Sequence, residues 1–195
     1  MPAPFQALPG GRIVLASASP RRAELLRAAG IPFDVLAPDV DESISVDEPP
    51  HDYVARLATA KARAIHDRAA GRIVLAADTA VIVDAHILGK PEGEDDARRM
   101  LRLLSGRRHE VLTAVAVVHP AQGPDMRVEM TTVEFVRLTD AEIDWYVGSG
   151  EPMDKAGAYA VQGLASRFVA RIEGSYSNVV GLPIALVYRL LNRAT

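Results

Sequence analysis

The apolar positions of the chain change period several times, and the changes mark its elements. The run "RIVLA" (Arg12–Ala16) is short, continuous and β-branched, as expected of a strand buried on both faces. Ser19 and Pro20 follow as helix-start signals, Leu25, Leu26 and Ala29 as inward positions, and Gly30 as a stop. A second strand is expected over Phe33–Ala37, then the acidic loop "PDVDESISVDEPP". Between Asp52 and Ala69 the period becomes helical, with Val54, Leu57, Ala58, Ala62 and Ile65 on one stripe. "RIVLAA" predicts a strand that ends at "DT", with "VIVDAHIL" as a hairpin partner leading into "GKP". A helix is expected from about Glu94 to Leu104, closed by Ser105 and Gly106. Two long strands, "HEVLTAVAVVH" and "RVEMTTVEFVRL", come next. Thr139 and Glu142 form a capping-box pattern opening "DAEIDWYVG". "GEPMDKAGAYAVQG" is irregular, "FVARIEG" is a strand, and Pro183 opens a last helix, "IALVYRLLNR". Interleaved strands and helices with hairpins in the middle predict an α/β fold: a mixed sheet with flanking helices. No repeat, low-complexity tract or linker breaks the 195 residues, so one domain is expected.

Composition narrows the function. At 49% hydrophobic and 24% charged residues the chain is an ordinary globular protein. A net charge of −3 and only 5% aromatic residues argue against nucleic acid as a partner. The longest apolar runs are too short to span a bilayer, so no membrane association is expected. "MPAPFQALPGG" lacks the pattern of a secretory leader. The absence of cysteine removes disulfides, zinc–thiolate sites and thiol nucleophiles, and is compatible with the expected cytoplasmic location.

The candidate chemistry begins in "LASASPRRAELL". Ser17 and Ser19 lie at a strand-to-helix turn, where free amides and the helix dipole favour anions. Arg21 and Arg22 oppose that dipole, so a bound polyphosphate would explain them; the alternative is a solvated helix start with surface arginines. The Gly-rich run of a Walker A loop is absent. Lys61 falls within the apolar stripe of its helix. Either it reaches to a rim, or its charge is met by an anion. Asp78 follows a buried strand, where it serves as a metal ligand or general base, or only caps a turn with Thr79. Asp41 and Glu42 offer a second carboxylate or simply a solvated loop. Lys90, between glycine and proline, is placed like a phosphate contact. Among Glu151, Asp154, Lys155 and Gln162, the Gln162 amide suits a nucleobase edge, against a solvent-facing loop as the alternative. The five histidines show no metal spacing, and neither His-Glu-x-x-His nor Gly-x-Ser-x-Gly occurs. Cations, a few acids and no covalent nucleophile suit metal-assisted phosphoryl chemistry on a nucleotide or polyphosphate.

The chain resembles the Maf-like nucleoside triphosphate pyrophosphatases over almost its whole length. The marks are "LASASPRRAELL", "YVARLATAKA", "AADTAVIVDAHILGKP", "LSGRRHEVLTAVAV", "GEPMDKAGAYAVQG" and "IEGSYSNVVGLP", in that order. The resemblance implies an elongated, two-lobed Maf/ITPase-like fold with a central cleft. It implies hydrolysis of a nucleoside triphosphate to the monophosphate and pyrophosphate, with a divalent cation such as Mg²⁺ or Mn²⁺. It places the acid/base aspartate on Asp78, phosphate contacts on Ser17, Arg22, Lys61 and Lys90, and a glutamate near the metal on Glu42. The pocket residues Arg21, Thr79 and Gln162 are similar to those of the dTTP/UTP subgroup, rather than the tryptophan, glutamine and glutamate of a subgroup suited to 7-methyl-GTP. Two other roles stay open: a binding protein that restrains cell division, and a pyrophosphatase for modified nucleotides. The resemblance allows a homodimer, though no stripe in the sequence marks an interface.

Overall fold

The computed structural model describes residues 11–120 and 123–193. The opening segment, read above as lacking a leader pattern, therefore lies almost wholly outside the described residues. The fold is α/β with a mixed sheet, as the alternation of periods predicts. Its strands are β1 (Ile13–Ala16), β2 (Phe33–Val35), β3 (Val74–Val83), β4 (His86–Leu88), β5 (Arg108–Val118), β6 (Pro124–Phe135) and β7 (Val169–Glu173). They are hydrogen-bonded in the order β2-β1-β3-β5-β6-β7, with β4 on β3. The chain divides into two compact units, the first made of Met1–Asp78, Thr113–Glu129 and Gly181–Thr195, the second of Thr79–Leu112 and Met130–Val180.

In the first unit β1 pairs in parallel with β2 (Ile13 with Phe33) and with β3 (Val14 with Val74, Ala16 with Ala76). Parallel neighbours need crossovers, which α1 (Pro20–Ala28) and α2 (Pro50–His66) supply. Ile13, Leu15, Ile73, Leu75, Ala77, Val115 and Val117 line one face of the strands. They pack in one cluster with Ala23 and Leu26 of α1 and with Leu186, Val187, Leu190 and Leu191 of α6 (Ile184–Arg193). The pleat sends Val14, Ala16, Val74 and Ala76 to the other face. α2 starts two residues before the expected Asp52 and buries Val54, Leu57, Ala58, Lys61, Ala62 and Ile65.

The second unit contains antiparallel strands and the helices α3 (Glu94–Leu104) and α4 (Asp140–Gly148). The capping box read from Thr139 and Glu142 is present in full. β6 and β7 pair antiparallel, Thr132 with Glu173. A short helix that the sequence reading missed, α5 (Tyr176–Val180), buries Asn178, whose Nδ2 donates to the Val111 carbonyl (2.9 Å) and Thr131 Oγ1 (3.0 Å). Its five residues are too few to show a helical period.

One boundary is corrected. The strand does not end at Asp78-Thr79; β3 runs through both to Val83, and the hairpin turn is Asp84-Ala85, each with positive φ (50° and 63°). Val81, Ile82 and Val83 pair with Leu88, Ile87 and His86. The β-branched Thr79, Val81, Ile82 and Val83 keep the backbone extended, and a two-residue turn with both φ positive matches strand twist. Asp78 thus caps no turn with Thr79. It lies just past the last parallel pair, Ala16 with Ala76, so the strand outruns its neighbour rather than stopping.

Within the second unit His109 is buried, with Nε2 2.9 Å from Tyr159 Oη and its ring edge-on to Phe135. Nδ1 is buried without a partner, and burial pushes the imidazole down to about 4. A depressed folded value means the unfolded chain takes the proton first. Stability is therefore full above about pH 6.5 and is lost as pH falls toward 4. Between pH 7.5 and pH 5 this linkage removes on the order of 2 kcal/mol. Urea melts of wild type and His109→Gln at the two pH values check it. The wild type should lose that much more than the variant, and parallel losses would refute the assignment.

Candidate active site

Five candidate site residues of the first unit gather around Asp78, which lies on the face of β3 that carries Val74 and Ala76. The pleat points Asp78 to this face, where α2 presents Lys61, buried because it sits in the middle of the apolar stripe. Lys61 Nζ donates to Asp78 Oδ1 at 2.6 Å and stands 2.5 Å from Glu42 Oε1. The Lys61 and Asp78 side chains are 8% and 9% exposed, whereas Glu42 is 45% exposed. The lysine does not reach to a rim; the anion that meets its charge is the protein's own pair of carboxylates. Burial raises the Asp78 carboxyl above the usual carboxylate range, Lys61 and Arg22 oppose this, and Glu42 adds to it.

The strand-to-helix turn supplies the other polar groups. Ser17 is buried, and its Oγ accepts from Arg22 Nη1 (3.1 Å) and from the Ser19 amide (3.2 Å). Arg22 Nε donates to the Gly181 carbonyl (2.8 Å). Burial lowers the guanidinium from its usual value, Asp78 and Glu42 counter this, and the like charge of Arg21 reinforces it. The expected Ser19 side-chain cap on α1 is corrected: Ser19 holds the cap position, but its side chain makes no capping bond. The turn is secured instead through the Ser19 N–H on Ser17, leaving the first-turn amides to other acceptors.

Two residues that the sequence reading passed over hold Glu42 in place. Tyr53 Oη donates to the Glu42 carbonyl (3.2 Å), and Arg56 Nη2 donates to the Ser43 carbonyl (2.9 Å). Arg56 also grips Glu48 with two bonds, 2.6 and 2.7 Å, and Glu48 accepts from the Ser45 amide (3.1 Å). The acidic loop is thus strapped to α2. Tyr53, Leu57 and Lys61 recur at four-residue spacing, a signal that would have placed Tyr53 on the buried face. Burial, then the charges of Asp78 and Glu42, push the Tyr53 phenol up to about 12.

Thr79, Lys90 and Gln162 belong to the second unit. Thr79 follows Asp78 on β3 and so points to the opposite face of that strand. Lys90 is exposed after β4, and the Gly157 amide donates to the neighbouring Gly89 carbonyl (3.0 Å). Gln162 is exposed in the irregular segment before β7. Ser17, Arg22, Glu42, Lys61 and Asp78 are the residues brought together.

Among the described residues no group of three or more His, Cys, Asp or Glu side chains is placed to hold a metal ion. Glu42 and Asp78 are a pair of hard oxygen donors already converging on one positive charge. That fits a Mg²⁺- or Mn²⁺-like ion, which takes one or two carboxylates and completes its shell with water and phosphate.

A family model described as Maf-like protein matches residues 12–194. Over 186 residues the chain is 56% identical to a protein of Anaeromyxobacter dehalogenans (strain 2CP-1) named dTTP/UTP pyrophosphatase, with 94% of each chain covered. Relatives bearing that name in Koribacter versatilis (strain Ellin345) and Bacillus cereus (strain B4264) are 50% and 48% identical, with 95% and 93% of this chain covered and 95% of each relative. In fold, the chain is similar to the solved Staphylococcus aureus Ham1 protein, with a TM-score of 0.55 at 15% identity over 94% of this chain and all of that one. With the family model matching nearly every described residue and relatives at about half identity from end to end, the chain belongs to the Maf-like protein family.

Proposed function

We propose that this chain hydrolyses nucleoside triphosphates, dTTP and UTP in preference, to the nucleoside monophosphate and pyrophosphate. The observation that carries the reading is the buried Asp78–Lys61 pair with Glu42 on the same ammonium. Relatives named dTTP/UTP pyrophosphatase support it at 48–56% identity. Asp78 is the general base. It takes a proton from water as the water oxygen bonds to the α-phosphorus; the bond from that phosphorus to the α–β bridging oxygen breaks, and pyrophosphate leaves. Burial makes the Asp78 carboxylate the stronger base, while the charges of Lys61 and Arg22 favour its ionised form.

Lys61, Arg22 and Arg21 set three cations against two carboxylates, an excess that suits a polyphosphate. Ser17 fixes the Arg22 fork. Glu42 and Asp78 would hold the divalent cation, whose chemistry is to draw charge from phosphate oxygens. Lys90 is read as a further phosphate contact, and Arg21, Thr79 and Gln162 as the groups that meet the base. The Gln162 amide matches the O4 and N3–H edge of uracil or thymine, while cytosine would require it to flip.

Pyrophosphate release over the canonical and modified triphosphates, with Mg²⁺ and Mn²⁺ compared, checks this. The expected order is dTTP and UTP first, CTP weaker, ATP and GTP poor. Losing one matched hydrogen bond makes CTP roughly 5- to 150-fold worse. Orthophosphate and nucleoside diphosphate as products would overturn the reaction, and equal rates on every base would overturn the preference.

A further inference from the structure

Gln162 stands at the tip of a tight turn whose two ends are tied to the same place. The Gly163 amide donates to the Ala160 carbonyl (3.1 Å), which closes the turn with Val161 buried and Gln162 exposed. On the entering side, the Ala160 amide donates to Tyr146 Oη (3.2 Å). On the leaving side, the Leu164 amide donates to Glu151 Oε2 (3.0 Å) and the Ala165 amide approaches Oε1 (3.5 Å). Tyr146 Oη in turn donates to Glu151 Oε1 (2.8 Å). Phenol and carboxylate therefore form one post with both ends of the turn bonded to it. The post is stiff: Tyr146 is fully buried and packs edge-on against Phe168, with ring centroids 5.5 Å apart. It is also close-fitting, since a Cβ at Gly163 would lie 2.3 Å from Glu151 Oε2.

We propose that Tyr146 and Glu151 are positioning residues for base selection, acting through Gln162. The proposal rests on the reading of Gln162 as a base contact. An amide discriminates only when its donor and acceptor ends are held in orientation, because a free amide flips to suit either pyrimidine. The backbone of the turn fixes where the Gln162 side chain starts, and so which atoms of the base its amide can reach; the post holds that starting point. A Glu151→Gln amide is near in shape but replaces one acceptor oxygen with a donor, which then faces either the Leu164 N–H or the Tyr146 O–H. Tyr146→Phe removes the hydroxyl from both Ala160 and Glu151.

The test is kcat/KM for UTP and CTP in wild type, Gln162→Ala, Tyr146→Phe, Glu151→Gln, and each of the latter two combined with Gln162→Ala. The UTP-to-CTP ratio is expected to fall roughly 5- to 150-fold in Gln162→Ala and by a comparable factor in Tyr146→Phe and Glu151→Gln. In the Gln162→Ala background neither should lower the ratio further, because they act through the same side chain. A purely structural role would depress both substrates together and leave the ratio alone; that result, with Gln162→Ala still collapsing it, overturns the positioning proposal and spares the Gln162 reading. An unchanged ratio in Gln162→Ala overturns the reading and the proposal with it. Should both post variants fail to fold, Gly163→Ala decides: it keeps Tyr146 and Glu151 but pushes the carboxylate aside, and the same fall in ratio is expected.

Discussion

Asp78→Asn is expected to lower turnover by at least 10²–10⁴-fold, the usual contribution of a positioned general base. The asparagine has nearly the shape of the aspartate and still offers Lys61 an acceptor oxygen, but it cannot take the proton from water. The fold should survive. Burial already disfavours the Asp78 carboxylate, so a neutral amide relieves a desolvation cost, and Lys61 is not orphaned because it keeps the Glu42 carboxylate as its counter-charge. Thermal melts should therefore move little while pyrophosphate release falls away. Near-normal turnover in a folded variant would remove Asp78 from the chemistry. The same variant separates hydrolysis from a binding role in division, which needs only the surface and would persist.

Lys61→Met is expected to lower kcat/KM by about 10²–10³-fold, the scale for one preorganised donor to developing charge. Here stability should also suffer. Lys61 is a buried cation on two carboxylates, one of them buried as well, and removing one partner of such a pair typically costs about 3–5 kcal/mol. Methionine keeps the length of the stem, so the loss reports charge rather than a cavity. Adding Asp78→Asn should recover much of it, because the orphaned carboxylate is then gone. Urea melts of the two single variants and the double variant test the coupling. Strict additivity would mean that Lys61 does not stabilise the fold through Asp78.

Most elements were legible because their periods are strong. The α3 bounds, the Thr139–Glu142 box and the Val54-to-Ile65 stripe follow from local spacing alone. The Asp78 boundary failed for a local reason too: "DT" looks like a turn, but the β-branched residues after it carry the strand on, and only pairing across the hairpin shows where it ends. Arg22 and Lys61 stand out as charges that their patterns do not call for and Asp78 as an acid after a buried run, whereas Ser17 and Glu42 fit their turn and acidic loop and were marked by the family resemblance. Their positions in the sequence do not say which of them touch.

Residue type and period thus settle the α/β class and the buried stripe of α2, and they nominate a set of side chains for binding an anion. Contacts between residues far apart in the chain belong to the packed molecule. The meeting of Glu42, Lys61 and Asp78 spans 36 positions and depends on the pleat of β3 aiming Asp78 at α2. The bonds that tie the Ala160 and Leu164 amides to Tyr146 and Glu151, across 14 and 13 positions, are of the same kind. Periodicity reports which face of an element is apolar, because that is a property of one segment in water. It is silent on the partner a polar group finds, because each such bond is made between two segments that only the folded core brings within 3 Å or so of one another.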